Sequence, residues 1–274
     1  MTADSFLSFL PQIFLMLMTG AIGGFLSGLF GVGGGAIFVP ALYFAAPLLG
    51  WSHFVTMHMA IGTSFGVVLA TAVTSSRNHH RRGAVDIDIL KRWSPFIALG
   101  IISGLLMAAQ AEAGFLKNIF GVLLLALSGY MVWPRRKHRH STHLTSNTAQ
   151  RIWCLLVGFL SSMTGIGGAV LNLPFLTHLG LPIHRAIGTA AGLVIAAAIP
   201  GLIGYMIAGV ISGMPLPALS LGYVNFPALL LIAPASVTAA PFGVRLAHRL
   251  PARGLTLLFA GFLLASAVFM LVGK

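Results

Sequence analysis

The sequence predicts an all-α integral membrane protein made of two inverted-topology repeats, with eight to ten membrane segments and Gly-rich helix breaks. Composition carries the first part of that expectation. Of 274 residues, 57 % are hydrophobic and 7 % charged, with a mean hydropathy of +0.96. A soluble domain has about 25 % charged residues. An internal repeat carries the second part. Gly31-Val-Gly-Gly-Gly35, followed by Pro40, returns as Gly165-Ile-Gly-Gly-Ala169, followed by Pro174. Charge placement supplies the orientation. The net charge of +12 is gathered in short loops between apolar runs, as topology signals are, so nucleic acid is not an expected partner and the lipid bilayer is.

In chain order, residues 11–30 are long enough to cross a membrane and are read as a retained segment, not a cleaved signal. The segments 35–49, 152–165 and 168–180 are short. Clear spans are expected near 57–76, 93–111, 115–133, 186–208, 222–244 and 254–273. The basic, polar stretch 134–151 reads as a linker, which divides the chain into a first repeat (1–133) and a second (152–274). The single cysteine, Cys154, excludes an internal disulfide and a multi-Cys metal site. No metal or cofactor is expected. The histidines of 79–80 and 138–143 are mixed with Arg and Lys, an environment that suits a solvated face.

The match between halves extends beyond the glycines. Ala60-Ile-Gly-Thr63 aligns with Ala186-Ile-Gly-Thr189, and Gly83, Pro95, Gly104 and Phe120 align with Gly222, Pro234, Gly243 and Phe259. With 134–151 placed in the cytoplasm, Arg77, Arg81, Arg82, Lys91, Arg92, Arg185, Arg245, Arg249 and Arg253 join the linker cations on the inside. Only Lys117 and Lys274 fall outside, a strong positive-inside signal. Corresponding loops land on opposite faces, so the copies are expected to be inverted, with both termini periplasmic and the chain multi-pass in a bacterial inner membrane.

Four glycines in five positions interrupt a helix, since each costs roughly 1 kcal/mol relative to Ala. Broken backbone is tolerated at membrane depth only where protein buries it or a polar cavity meets it. Each break precedes an apolar stretch able to start a helix, whose free N–H groups and partial positive charge suit an anion. The candidate binding residues are therefore Gly33, Gly34, Gly35, Gly167, Gly168 and Ala169. Thr63, Ser64, Thr189, Asn172 and His58 are added as polar groups nearby. Pro40 and Pro174 are expected to shape the broken helices. The deep spans carry no Asp or Glu, which argues against a cation substrate. An intramembrane enzyme built on His58 and Ser64 is disfavoured, because a spacing of six puts them on different helix faces and no carboxylate orients them.

Gly31–Gly35 with Pro40, Ala60-Ile-Gly-Thr-Ser64, Gly165–Gly168 with Pro174 and Ala186–Thr189 together resemble the TauE/SafE family of membrane transporters, the sulfite-exporter-like permeases. The resemblance covers the chain apart from the linker. It implies a secondary transporter, an exporter of a small anion such as sulfite or an organosulfonate like sulfoacetate, working by alternating access and not as an enzyme. A carboxylate carrier and a membrane scaffold are the alternatives, and a homodimer is compatible with either. The match of Asn172 and of Thr189-Ala190 to different residues in the first half marks a local asymmetry.

Overall fold

The computed structural model describes residues 3–30, 33–132, 146–247 and 249–273. Gly31 and Val32 of the first glycine run, Trp133, and 134–145 of the linker lie outside the described residues. Among the described residues the fold is ten α-helices and one two-stranded hairpin. The first five helices are α1 (Ala3–Phe30), α2 (Gly35–Ala45), α3 (Thr56–Arg81), α4 (Ile87–Ala108) and α5 (Ala113–Val132). The second five are α6 (Asn147–Thr164), α7 (Ala169–His178), α8 (Ile183–Ile211), α9 (Phe226–Ala247) and α10 (Ala252–Val272). Strands β1 (Ser220–Leu221) and β2 (Val224–Asn225) precede α9. Among the described residues, seven helices are long and apolar enough to cross a membrane, and α2 is a shorter apolar one. The chain is a multi-pass membrane protein.

Boundaries follow local chemistry. Ser146 caps α6, its Oγ accepting from the Ala149 N–H at 3.2 Å, so the sixth helix begins inside the stretch read from sequence as linker. Asp86 caps α4 in the same way, its Oδ1 accepting from the Ile89 N–H. That starts α4 at Ile87 instead of near 93. α3 runs on to Arg81, past the expected end at 76. Its last turn holds Arg81, a cation that favours a helix C-terminus. The hairpin before α9 was not anticipated; two residues per strand leave no alternation to read.

The packing recurs in pairs. α1 lies against α9 and α6 against α4, while α5 packs on α10 and α3 on α8. Numbering the helices one to five in each half, each of these contacts maps onto another of them or onto itself. Small residues permit the close approaches. In α1, Gly20, Gly24 and Gly28 face the backbone of Ile232, Ser236 and Ala240 in α9. In α6, Gly158 faces Ile97 and Gly100 of α4. The Gln12 side-chain amide donates to the Leu48 carbonyl at 3.1 Å. So α2 runs back toward the end from which α1 starts, and the first glycine turn is the bend of a hairpin. Arg185 pairs with Asp86 at 3.0 Å, which puts the start of α8 beside the start of α4. Lys117 Nζ donates to the Gly273 carbonyl at the opposite end of the bundle.

Candidate functional site

Both glycine runs are helix ends. Gly33 and Gly34 have φ of 77° and 86°, and Gly165, Gly167 and Gly168 have 66°, 73° and 77°. A side chain is rarely tolerated in that left-handed region, so these positions require glycine. After each run a new helix opens. The Ile37 and Phe38 N–H groups donate to the Gly34 carbonyl, and the Leu171 and Asn172 N–H groups to that of Gly168. The amides just before these donors, Gly35 and Ala36 in α2 and Ala169 and Val170 in α7, are those a helix start leaves without an intrahelical acceptor. Pro40 and Pro174 sit inside the two short helices. Each removes one intrahelical donor, from the Ala36 and Val170 carbonyls respectively.

The fold brings the two turns together. A Cβ on Gly33 would lie 3.4 Å from that of Ala169, and one on Gly35 would overlap the Gly165 carbonyl oxygen. Gly167 faces Val68 of α3 and Val194 of α8, and Gly33 also faces Val194. Two segments separated by more than a hundred residues thus form one buried junction at the crossing of α3 and α8. Ser64 joins it. Its hydroxyl lies 2.7 Å from the Ile61 carbonyl and 3.4 Å from that of Gly165. Asn172 lies on α7 one turn beyond Gly168, buried at 1 % exposure, and neither its Nδ2 nor its Oδ1 has a partner among the described residues. Ser161 Oγ, beside Gly168, also lacks one.

Thr63, Thr189 and His58 are directed elsewhere. Thr63 Oγ1 accepts from the Asn225 N–H at 3.0 Å, and Thr189 Oγ1 accepts from the Asp86 N–H at 2.9 Å. Asn225 and Asp86 then cap α9 and α4 through bonds from Ala228 and Ile89. These are the same arrangement twice, and it seats a helix start about two turns into α3 or α8. His58 Nε2 bonds the Ala108 carbonyl at 3.1 Å, and its ring lies 4.9 Å from that of Tyr223, tying α3 to α4 and the hairpin. Sequence reasoning missed Asn225, Asp86 and Ser161. The first two were readable as capping residues; Ser161, inside an apolar helix, gave no signal.

Beside the junction lies a cleft of about 590 Å³ between α5, α7 and α10. Val170, Leu173, Pro174 and Thr177 form one wall, with Tyr130 and Arg253 facing them. At the other end of the bundle α2 packs on α10, and Phe44 meets Phe269 edge to face at 4.6 Å. No group of three or more metal-ligating side chains occurs among the described residues.

Comparison with known proteins agrees with this architecture. A probable membrane transporter protein of Haemophilus influenzae is 34 % identical over 94 % of this chain and 97 % of its own length. A probable membrane transporter protein of Methanocaldococcus jannaschii is 29 % identical over 97 % of both. No solved structure matches. The family described as Sulfite exporter TauE/SafE matches residues 16–270. The chain belongs to that family.

Proposed function

We propose that this protein is a secondary transporter that carries a small anion, sulfite or an organosulfonate such as sulfoacetate, out of the cell by alternating access. The observation that carries the reading is the meeting of the two glycine turns. Each opens a helix, and their backbones touch inside the bundle. Two helix starts offer unpaired N–H groups and partial positive charge at one buried place, which favours an anion without a desolvated Lys or Arg. The acidic residues support an anionic substrate by their positions. Asp4 lies at the start of α1, Asp86 and Asp88 at the start of α4, and Glu112 between α4 and α5, leaving the helix interiors without a carboxylate to hold a cation. Membership in a family described as sulfite exporters and relatives named as membrane transporters agree with the reading.

The paired packing of α1 with α9 and α6 with α4 supports two copies of one unit, and the Arg185–Asp86 pair, which sets the start of α8 near the end of its counterpart α3, supports their inversion across the bilayer. The Lys and Arg distribution supports 134–151 as cytoplasmic with both termini on the far side. Alternating access then amounts to exchanging the arrangements of the two halves around the glycine junction. Purified protein reconstituted in liposomes tests this. Uptake of labelled sulfite or sulfoacetate, driven by an outward gradient of the same anion, is expected to exceed that of protein-free liposomes. Acetate and chloride are expected to compete weakly. Transport of acetate in preference to both sulfur anions would replace the substrate with a carboxylate. Absence of any anion flux from folded protein would leave a scaffold role.

A further inference from the structure

The two glycine turns are not equivalent. In the second half, a Cβ on Gly168 would lie 3.1 Å from Ser161 Oγ and 3.5 Å from Asn172 Nδ2. Both residues are buried at 1 % exposure, and Ser161 Oγ, Asn172 Nδ2 and Asn172 Oδ1 have no partner among the described residues. Buried polar groups nearly always find partners, and leaving a carboxamide without one is costly. Here two such side chains converge on the start of a ten-residue helix. In the first half the position matching Asn172 is Phe38, and that matching Ser161 is Ser27. A Cβ on Gly34 would meet the Phe38 ring at 2.5 Å and Ser27 Oγ at 3.2 Å. The same ring lies against Gly23, whose counterpart is Val157, itself beside Gly168. Bulk has changed sides: Phe38 over Gly23 fills the first turn with hydrocarbon, whereas Asn172 beside Val157 leaves the second turn polar.

We propose that the substrate is held off centre, at the second turn only, by Asn172 Nδ2, Ser161 Oγ and the Ala169 and Val170 amides, and that it is a singly charged oxyanion. The proposal rests on the anion-carrier reading above. No Lys or Arg belongs to this set, and a helix start offers only about half a positive charge. One negative charge is the most this set can offset; a second would be buried without compensation, so of the anions proposed above hydrogen sulfite fits the site and sulfoacetate, which carries both a sulfonate and a carboxylate, does not. Asn172 Oδ1 is an acceptor, so it selects a ligand that also carries a hydrogen, such as hydrogen sulfite, or takes one from a bound water.

The test is equilibrium binding to the purified full chain in detergent, with hydrogen sulfite and methanesulfonate as singly charged probes and sulfate as the doubly charged one. Wild type is expected to bind the first two more tightly than sulfate. Ser161→Ala and Asn172→Leu are each expected to weaken that binding by about tenfold or more, as loss of a bond to a charged group does. Ser27→Ala, on the hydrocarbon-filled side, is expected to bind as wild type does. Without ligand, Asn172→Leu is expected to unfold at a higher temperature than wild type, because it removes an unsatisfied carboxamide; a purely structural Asn would shift it the other way. Should that variant fail to fold, Ser161→Ala against Ser27→Ala decides the matter. Equal losses in the two serine variants would overturn the one-sided site. So would unaltered binding in both Ser161→Ala and Asn172→Leu, with the carrier reading intact. Tighter binding of sulfate would overturn the single charge. Wild type that is folded and binds none of the anions would remove the carrier reading and this site together.

Discussion

At the scale of single residues, glycine acts in two ways here, and the two are separable. Gly35 has an ordinary backbone conformation, yet a methyl group on it would overlap the Gly165 carbonyl oxygen. The obstacle is backbone, which cannot rotate away as a side chain can. Gly35→Ala is therefore expected to lower stability by about 1–3 kcal/mol, the usual cost of overpacking. Gly261, in α10, has nothing within 4 Å of its Cβ direction. Gly261→Ala is expected to leave stability unchanged or raise it by up to about 1 kcal/mol, because Ala suits a helix better. Thermal unfolding of the two variants in the same detergent checks the pair. Equal behaviour would mean that the turns do not pack as described. The φ values above 60° at Gly34 and Gly168 make a different demand, for conformation and not for space alone. Sequence spacing made the clustering of these glycines visible. It left open which of them were needed for a turn and which for a close approach, because that depends on what the fold sets opposite them.

At the scale of elements, the recurring device is a helix start seated on a threonine. Thr63 receives the Asn225 N–H and Thr189 the Asp86 N–H, and each partner caps the helix that follows. The Ile-Gly-Thr repeat was legible in sequence as something used twice, and its threonines were read there as candidate ligand hydroxyls. Their oxygens instead accept backbone bonds across 162 and 103 residues. The neighbouring glycine explains the motif. A Cβ on Gly62 or on Gly188 would overlap the carbonyl oxygen of Tyr223 or of Ala84, so the incoming loop needs both the gap and the acceptor. Such long-range bonds cannot be read from one segment alone. Thr63→Val and Thr189→Val keep the shape and remove the acceptor. Thr63→Val is expected to cost about 1–3 kcal/mol of stability, because the buried N–H of Asn225 loses its partner, and Thr189→Val less, because the N–H of Asp86 is only part-buried. The concentration of anion giving half-maximal transport is expected to stay at the wild-type value. Chemical denaturation followed by liposome uptake separates these outcomes. A loss of apparent affinity with stability unchanged would return the threonines to the binding site.

For the whole molecule, the four main helix pairings repeat between halves, and the departures from repetition show where the two ends differ. The space between α7, α5 and α10 is an open cleft reaching from Arg253 to Val170. Its counterpart at the other end is closed by α2 packing on α10, where Phe44 meets Phe269. Tyr130, which matches Phe269 in the repeat, lines the cleft. On the anion-carrier proposal, Arg253 at this end would give an anion a first attraction that salt screens. On the inverted-repeat proposal, two copies in one conformation would give equal openings at both ends, so this difference would correspond to a state open at the end where α5 finishes. Leu173 lines the cleft, and its repeat counterpart Val39 is fully buried. In a chain freed of its one native thiol by Cys154→Ala, a cysteine at 173 is expected to react with a membrane-impermeant thiol reagent applied to the linker side. A cysteine at 39 is expected to stay unreactive. If the protein exchanges the two arrangements during transport, trapping it in the opposite state must reverse both results. A cysteine at 39 would then label from the far side and one at 173 would be protected. Labelling that never reverses under any anion gradient would mean that the difference between the halves is fixed, and that substrate passes by some route other than exchange between them.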